Sequence, residues 1–162
     1  MNSRDAAFST LPKVYLCGPI TGQTARGART WRADVTAALE GTADCIDPTR
    51  DSPEYSRHCE SSIGQPLTVE RLRHGKRTLV RNRFDIGRSD ILLGCFLGCS
   101  AVSIGSVGEI FWADAIGKPV IIVREDENIH NHDMLNELAG WIFPEISPAI
   151  EQIKRLLTMH SE

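Results

Sequence analysis

A run of small and acidic residues near the middle of the chain has the composition of a ligand-binding turn. Positions 103–109 of the 162-residue sequence read SIGSVGE. Gly105 and Gly108 would let a flat ligand approach the backbone, because glycine has no Cβ. If Glu109 lies in the first turn of a following helix, unpaired N–H groups and the helix macrodipole favour its ionised form. An ionised carboxylate beside a cleft can act as a nucleophile.

The same run has a purely structural interpretation. Ser106 and Glu109 have the spacing of a capping box, in which the serine caps a helix and the glutamate folds back onto its start. Both interpretations predict a helix directly after the run. They differ in whether Glu109 faces a ligand or its own helix.

Cysteine and histidine offer only weak signs of a metal site. The chain has five cysteines, an odd number, and most lie in apolar runs, as buried thiols in a reducing compartment do. Cys95 and Cys99 lack the second pair that a zinc site needs. A zinc site would also need ligands from His58, Cys59 and His74. The two histidines within 128–134 are a separate candidate metal pair. We expect a cytoplasmic protein without metal.

Composition bounds the class of protein. With 41% hydrophobic and 24% charged residues, the chain suits one globular domain, predicted over 13–162 after a flexible leader at 1–12. A net charge of −3 disfavours a general nucleic-acid binder, which normally presents a basic face. No apolar stretch approaches the length of a membrane span, and the amino terminus lacks a signal-peptide core.

The elements that would position the chemistry alternate between apolar strands and amphipathic helices. Strands are predicted at 13–17, 44–47, 90–96, 119–123 and 141–143, and helices at 28–39, 82–89, 105–116, 132–138 and 147–159. The stretch at 48–76 is largely irregular, and residues 69–74 within it could form a further helical turn. Uniformly apolar strands that alternate with helices indicate a parallel sheet covered on both faces. The predicted fold is therefore α/β, a flavodoxin-like doubly wound five-stranded parallel sheet with helices on both faces.

In such a sheet, ligands bind beyond the carboxyl ends of the strands. Three segments leave the predicted strands there: 18–27, 98–108 and 124–133. The first contains Gly-Pro-Ile-Thr-Gly, which has some likeness to a phosphate-binding turn but lacks the glycine and lysine pattern of one. A tight strand-to-helix turn explains it equally well.

Three segments together resemble the nucleoside 2-deoxyribosyltransferase family, which includes nucleotide N-glycosidases. They are Val14 to Pro19 (VYLCGP), Asp85 to Asp90 (DIGRSD) and Ser103 to Pro119 (SIGSVGEIFWADAIGKP). The resemblance implies a double displacement, in which Glu109 attacks C1′ of the sugar and holds a covalent glycosyl intermediate until a second base or water takes the sugar. It also implies that Tyr15 orients Glu109. Without the resemblance, an aromatic residue packed in the core would be an equally good interpretation of Tyr15.

One position departs from the family. An Asp that protonates the departing base usually stands eight residues before Asp90, and here that position is Asn82. An amide can bond to a base edge but cannot act as an acid. Asp85, one helical turn further, is a possible substitute, although its pattern is that of an ordinary helix residue.

Three further positions leave open whether the substrate is phosphorylated. Ser103 stands where nucleoside transferases of the family carry Asp, and the nucleotide-hydrolysing branch carries Ser, since a second anion would repel a 5′-phosphate. Pro19 and Thr21, however, occupy positions where that branch can carry Ser and Arg. Arg26 and Arg29 are possible replacements for that arginine.

The resemblance assigns substrate contacts to ten residues in and around the loops that leave the predicted strands: Gly18, Pro19, Ile20, Thr21, Ser103, Gly105, Ser106, Asn131, Asp133 and Met134. It places 128–134 at a neighbouring subunit's site, which implies a homodimer or higher homo-oligomer. The predicted function is transfer of a 2-deoxyribosyl group between nucleobases, without cofactor, nucleic acid or membrane. The alternatives are hydrolysis of nucleoside 5′-monophosphates and a catalytically silent nucleotide-binding module.

Overall fold

The structure, a computed structural model, describes residues 10–20, 25–50 and 69–159, with side chains at 10–20, 30–50 and 75–159. Strands and helices alternate through this part of the chain, as predicted. The strands are β1 (Lys13–Cys17), β2 (Asp44–Ile46), β3 (Ile91–Cys95), β4 (Val120–Val123) and β5 (Trp141–Phe143). The helices are α1 (Ala25–Ala38), α2 (Val69–Gly87), α3 (Ile104–Ala115), α4 (Asp133–Leu138) and α5 (Ile146–Thr158).

The five strands form one parallel sheet in the order β2-β1-β3-β4-β5. Val14 of β1 lies between Cys45 of β2 and Ile91 of β3. The second strand, β2, therefore lies on one side of β1, and the next three strands follow in order on the other side. This is the predicted flavodoxin-like order, and its switch point lies at the carboxyl ends of β1 and β3.

Alternate residues of β1 enter cores on opposite faces of the sheet. Val14 and Leu16 pack in a cluster that includes residues of α1 and α5. Tyr15 and Cys17 pack in a second cluster with residues of α2, α3 and α4. The period-two geometry of a strand thus sends these two polar-tipped side chains together toward the face that α2 and α3 cover.

Helix α2 is much longer than the helix predicted at 82–89, and that prediction was wrong in extent. Its apolar side chains Leu79, Val80 and Phe84 are exposed, whereas Asn82 is buried. Hydrophobic periodicity marks the buried face of a helix only when that face is apolar. Residues 69–74, considered for a separate helical turn, belong to the same helix. Its described inward face carries polar groups, so the pattern did not join that turn to the helix at 82–89.

The start of α3 corrects the proposed capping box. Ser103 is the N-cap, without a side-chain cap bond, and the helix begins at Ile104. Glu109 is consequently the sixth helical residue and lies beyond the first turn, where the macrodipole acts most strongly. Ser106 does not cap the helix; its hydroxyl lies 2.9 Å from the Ser103 hydroxyl.

Several predictions fall wholly or partly outside the described residues. These are the leader at 1–12, which the structure describes only from residue 10, and most of the irregular segment at 48–76. Across the described ranges, no helix has both the length and the apolar character needed to cross a membrane.

Candidate functional site

The Glu109 carboxylate is the convergence point of two elements at the switch point. Tyr15 Oη donates to Glu109 Oε1 at 3.1 Å. Asn82 Nδ2 donates to the same oxygen at 2.7 Å. Three residues that the sequence nominated from β1, α2 and α3 are thereby brought into one cluster. Glu109 folds neither onto its own helix start nor away from the sheet.

Cys17, which the sequence analysis did not nominate, lies beneath this cluster. It is fully buried, and its thiol donates to the carbonyl oxygen of Ser106 at 3.5 Å. Burial raises the pKa of the thiol well above its usual range, and the nearby Glu109 charge raises it further. The thiol is therefore a neutral donor under α3. Its place two residues after Tyr15, on the same strand face, is the signal that would have found it.

The environment of Glu109 shifts its pKa upward. Burial is the largest cause, and hydrogen bonds from Cys17, Asn82 and Tyr15 oppose it, as does the charge of Arg32. This direction contradicts the expectation that the helix start would favour ionisation. A carboxylate with a raised pKa is a stronger nucleophile in its ionised form, and it is held here by donors that stabilise that form.

Asn82 and Asp85 occupy different environments although both project from α2. Asn82 is buried against Glu109. Asp85 is buried as well, but its two oxygens accept from Arg50 at 2.6 Å and from Arg88 at 2.8 Å. Asp85 thus ties the end of β2 to α2 through paired charges. Its carboxylate serves an ion-pair network and makes no described hydrogen bond with Glu109.

The first loop is shaped by a close approach at Gly18. A Cβ placed on this residue would lie 2.8 Å from the Cys95 carbonyl oxygen and 2.9 Å from the Trp31 ring. Buried Arg32 donates to the Gly18 carbonyl at 2.9 Å and lies 3.6 Å from Asp47. Burial lowers the pKa of this arginine, with Asp47 acting against the shift. These contacts fix the chain where it leaves β1.

Of the other candidates in this loop, Pro19 is buried and Ile20 is half-buried. Thr21 lies outside the described residues, as do the side chains of Arg26 and Arg29. The structure therefore describes the base of the first loop and not its outer part.

Serine and glycine residues occupy the end of the β3–α3 loop and the first turns of α3, the helix that carries Glu109. Gly105 and Gly108 are exposed, and a Cβ at either would meet no atom within 4 Å. Ser106 is buried, and Ser103 is half-buried with its amide bonded to His130 Nε2 at 2.9 Å. The backbone along this turn of α3 is open to a ligand.

The β4–α4 loop carries the remaining candidates at the surface. Asn131 donates to the Asp126 carbonyl at 2.8 Å and accepts from Asn136 at 3.1 Å. Met134 is 57% exposed. Asp133 opens α4, next to the N-cap His132. Within the described chain, the hydrogen bonds of Asn131 stay inside this loop and α4, and none of the three residues makes a described hydrogen bond with Glu109.

The described side chains contain no group of three or more potential metal ligands. His58, Cys59 and His74 lie outside that set. Both ring nitrogens of His130 have protein partners, Ser103 and Asn128, and His132 Nδ1 accepts from the Met134 amide. The four described cysteines are free thiols, as predicted.

Comparison with known proteins identifies the fold. No protein-family model and no curated protein sequence matches the chain. A 2-deoxyribosyltransferase from Bacillus psychrosaccharolyticus superposes with a TM-score of 0.58 at 17% identity, over 85% of this chain and 90% of that one. A conserved protein from Enterococcus faecalis V583 gives 0.59 at 17% identity, over 90% and 98%.

The same fold also occurs in proteins of other kinds. The molybdenum cofactor binding protein from Rippkaea orientalis superposes with a TM-score of 0.54 at 16% identity, over 91% of this chain and 98% of that one. The chain therefore has the fold of 2-deoxyribosyltransferases, which supports the resemblance drawn from the sequence. At this level of identity the fold alone is shared, and function has to be argued from the site.

Proposed function

We propose that this protein acts on the N-glycosidic bond of (deoxy)nucleosides and transfers the 2-deoxyribosyl group between nucleobases through a glycosyl-Glu109 intermediate. The observation that carries the proposal is the double hydrogen bond on Glu109 Oε1 from Tyr15 and Asn82. Both donors act on one oxygen, which sets the plane of the carboxylate. Oε2 carries neither of these two bonds and is the oxygen we assign to the attack.

The proposed chemistry follows from the charge of this carboxylate. Oε2 forms a bond to C1′ while the C1′–N bond breaks and its electron pair leaves with the base. The oxocarbenium-like transition state is cationic, so a carboxylate stabilises it as it forms. A second base then attacks C1′ and displaces Glu109, losing a proton as its new N-glycosidic bond forms. Water in place of that base gives the free sugar.

The donors around Glu109 also have a role in this proposal. In the glycosyl-enzyme the carboxylate becomes a neutral ester. In the second displacement it must leave again as an anion. Tyr15 and Asn82 stabilise the anionic form and hold the oxygen in place, as preorganised dipoles do. Asn82 has no proton to give as an acid, so the departing base takes its proton from solvent or from a residue outside this cluster.

Hydrolysis of nucleoside 5′-monophosphates is a second candidate, favoured by Ser103. Ser103 is the N-cap of α3 and carries no charge. A carboxylate at this position would repel a 5′-phosphate, whereas serine does not. A catalytically silent nucleotide-binding module is a third candidate, favoured by the amide at Asn82.

We also propose that the protein works as a homo-oligomer in which the β4–α4 loop completes a neighbouring site. The support is the surface position of Asn131, Asp133 and Met134, which make no described hydrogen bond with Glu109 within one chain. Sedimentation of the wild type should then give at least a dimer, and a monomer with full activity would exclude the shared site.

The experiment is base exchange. The protein is incubated with a deoxynucleoside and a different free base, and the new nucleoside is sought by chromatography. Glu109→Gln should abolish the product, whereas the matched control Asp114→Asn, which removes an exposed carboxylate from the same helix, should retain it. Free sugar or sugar phosphate without exchange assigns the protein as a hydrolase. No turnover of nucleosides or monophosphates by the wild type would refute both enzymatic candidates.

A further inference from the structure

His130 is a buried histidine that the proposed chemistry does not use. Only 2% of its surface is exposed, and its ring stacks on Phe96 with centroids 4.1 Å apart. Nε2 lies 2.9 Å from the backbone nitrogen of Ser103, and Nδ1 lies 3.1 Å from Oδ1 of Asn128. Because a backbone N–H can only donate, Nε2 must carry a lone pair. The ring is therefore neutral, with its proton on Nδ1 donated to Asn128.

Asn128 joins this ring to the end of β3. Its Oδ1 also accepts from the His130 amide at 2.9 Å. Its Nδ2 donates to the Phe96 carbonyl at 2.8 Å and to Glu125 at 2.7 Å. Glu125 in turn accepts from the Gly98 amide at 2.8 Å. The β4–α4 loop thus holds the β3–α3 loop at its beginning through Phe96 and Gly98, and at its end through His130.

That end is the origin of the helix that bears Glu109. Ser103 is the N-cap of α3, and its hydroxyl lies 2.9 Å from that of Ser106. The Ser106 carbonyl in turn accepts from Cys17. A change at the Ser103 amide is therefore passed to the first turn of α3 and to the thiol beneath Glu109.

We infer that His130, in its neutral Nδ1–H form, is a positioning residue that sets the register of α3 through the Ser103 amide and so holds Glu109 against Tyr15 and Asn82. Protonation of the ring places a second N–H at Nε2, facing the Ser103 N–H. Two donors then oppose each other, the loop end is released, and Glu109 loses its alignment. The catalytic part of this inference rests on the proposed function; the structural part does not.

Burial, rather than a neighbouring charge, shifts the pKa of the His130 ring. Arg124 donates to the Asn136 side chain and the Glu125 carbonyl, and Glu125 reaches the ring only through Asn128. The other titratable groups of the two loops are Cys99, Asp126, Glu127, His132 and Asp133. Burial lowers the pKa of His130. The folded protein should therefore lose stability as the pH falls below the ordinary histidine value of about 6.5, until the ring is protonated.

The test begins with a titration that needs no activity. NMR follows the His130 ring, the Ser103 amide and the Glu109 carboxyl carbon of the wild type from about pH 8 to about pH 5. We expect the Ser103 amide to shift with the midpoint of the ring, and the Glu109 titration to show an inflection at that midpoint. Both effects should vanish in His130→Gln, whose amide oxygen can accept from Ser103 without titrating. In His132→Asn, which removes the other histidine of the loop, both should persist.

Kinetics then separates positioning from folding. His130→Phe keeps the stacked ring but removes the acceptor, and we expect kcat to fall by on the order of 10-fold to 100-fold with KM little changed. His130→Gln should restore most of this loss. The inference would be overturned if the Ser103 amide shift did not change at the midpoint of the His130 ring. It would also be overturned if that amide shifted but the Glu109 titration showed no inflection there. If the wild type shows no turnover, the proposed function fails while the titration still decides the role of His130.

Discussion

The Tyr15 hydroxyl and the Glu109 carboxylate lie 94 positions apart in the sequence and 3.1 Å apart in the structure. Tyr15 is buried in β1, between β2 and β3 of the sheet, and its ring is packed in the core between the sheet and α2 and α3. The two sequence interpretations of Tyr15, core aromatic and orienting residue, therefore describe the same side chain. Its ring is fixed by packing, and its polar tip is presented to the carboxylate.

Tyr15→Phe should impair the reaction much more than the fold. The ring remains packed, and the donor to Glu109 is lost. A hydrogen bond to a charged group contributes about 1.5–3 kcal/mol, which corresponds to a fall in kcat/KM of roughly 10-fold to 150-fold. Steady-state kinetics and thermal unfolding of the same sample check this. A large drop in melting temperature with unchanged kcat/KM would assign Tyr15 to packing alone.

Asn82→Asp should change how the rate depends on the departing base. The new carboxyl would lie next to Glu109, and two carboxylates in contact share a proton because their charges repel. That proton becomes available to the base. We expect the wild type to react fastest with substrates whose base leaves as a stable anion. With more basic leaving groups, the variant should react about 10-fold or more faster than the wild type.

Rates measured across a series of nucleosides with leaving bases of graded basicity test this, with Asn82→Ala as the control that removes the amide without adding an acid. Identical slopes for the wild type and Asn82→Asp would show that the base is protonated elsewhere. Activity that first arises in the variant would mark the wild type as a silent binder.

The pH dependence of stability should reveal the half-buried Glu109. Its folded pKa is raised by burial, so the ionised form is less stable in the fold than in the unfolded chain. This penalty is present above the folded pKa, diminishes as the pH falls through that value, and is gone below the unfolded value of about 4.3.

Glu109→Gln should accordingly be more stable than the wild type at neutral pH, and the two should converge in acid. Melting temperatures measured from neutral pH down to about pH 4 check this expectation, with Asp114→Asn as a control on the same helix. A variant less stable than the wild type at neutral pH would mean that the hydrogen bonds outweigh burial at this site.

Gly18→Ala should destabilise the fold where the first loop leaves the sheet. The added methyl would meet the Cys95 carbonyl at 2.8 Å, and overpacking of this kind costs about 1–3 kcal/mol. Gly75→Ala in α2 meets no neighbour and should stabilise by about 0.5–1 kcal/mol through helix propensity. Denaturant unfolding compares the two, and equal midpoints would contradict the steric account of Gly18.

Most of the architecture could be predicted because buried parallel strands are nearly continuous apolar runs. All five strands were located, and the order of the sheet followed from the alternation with helices. Helix α2 was predicted only as a possible turn at 69–74 and a short helix at 82–89, since Leu79, Val80 and Phe84 face solvent while the buried face carries Asn82 and Asp85. Periodicity carries no information when the polar side of a helix is the buried one.

Within the site, the family resemblance nominated Tyr15, Asn82 and Glu109, which the fold brings together, whereas the local pattern failed on how Glu109 is held. The spacing of Ser106 and Glu109 suggested a cap, but long-range donors from β1 and α2 hold the glutamate instead. His130 was seen only as half of a weak metal pair. Its role depends on Asn128 and Ser103, which lie close only in the folded chain, so neither spacing nor composition reveals it.

The most direct measurement of the central claim is the mass of the peptide that contains Glu109 after brief reaction with a deoxynucleoside and rapid quenching in acid. We predict a sugar adduct on Glu109 that disappears when a second base is added and is absent from Glu109→Gln. An active protein that carries its adduct on another residue, or that turns over substrate with no adduct at all, would contradict the account.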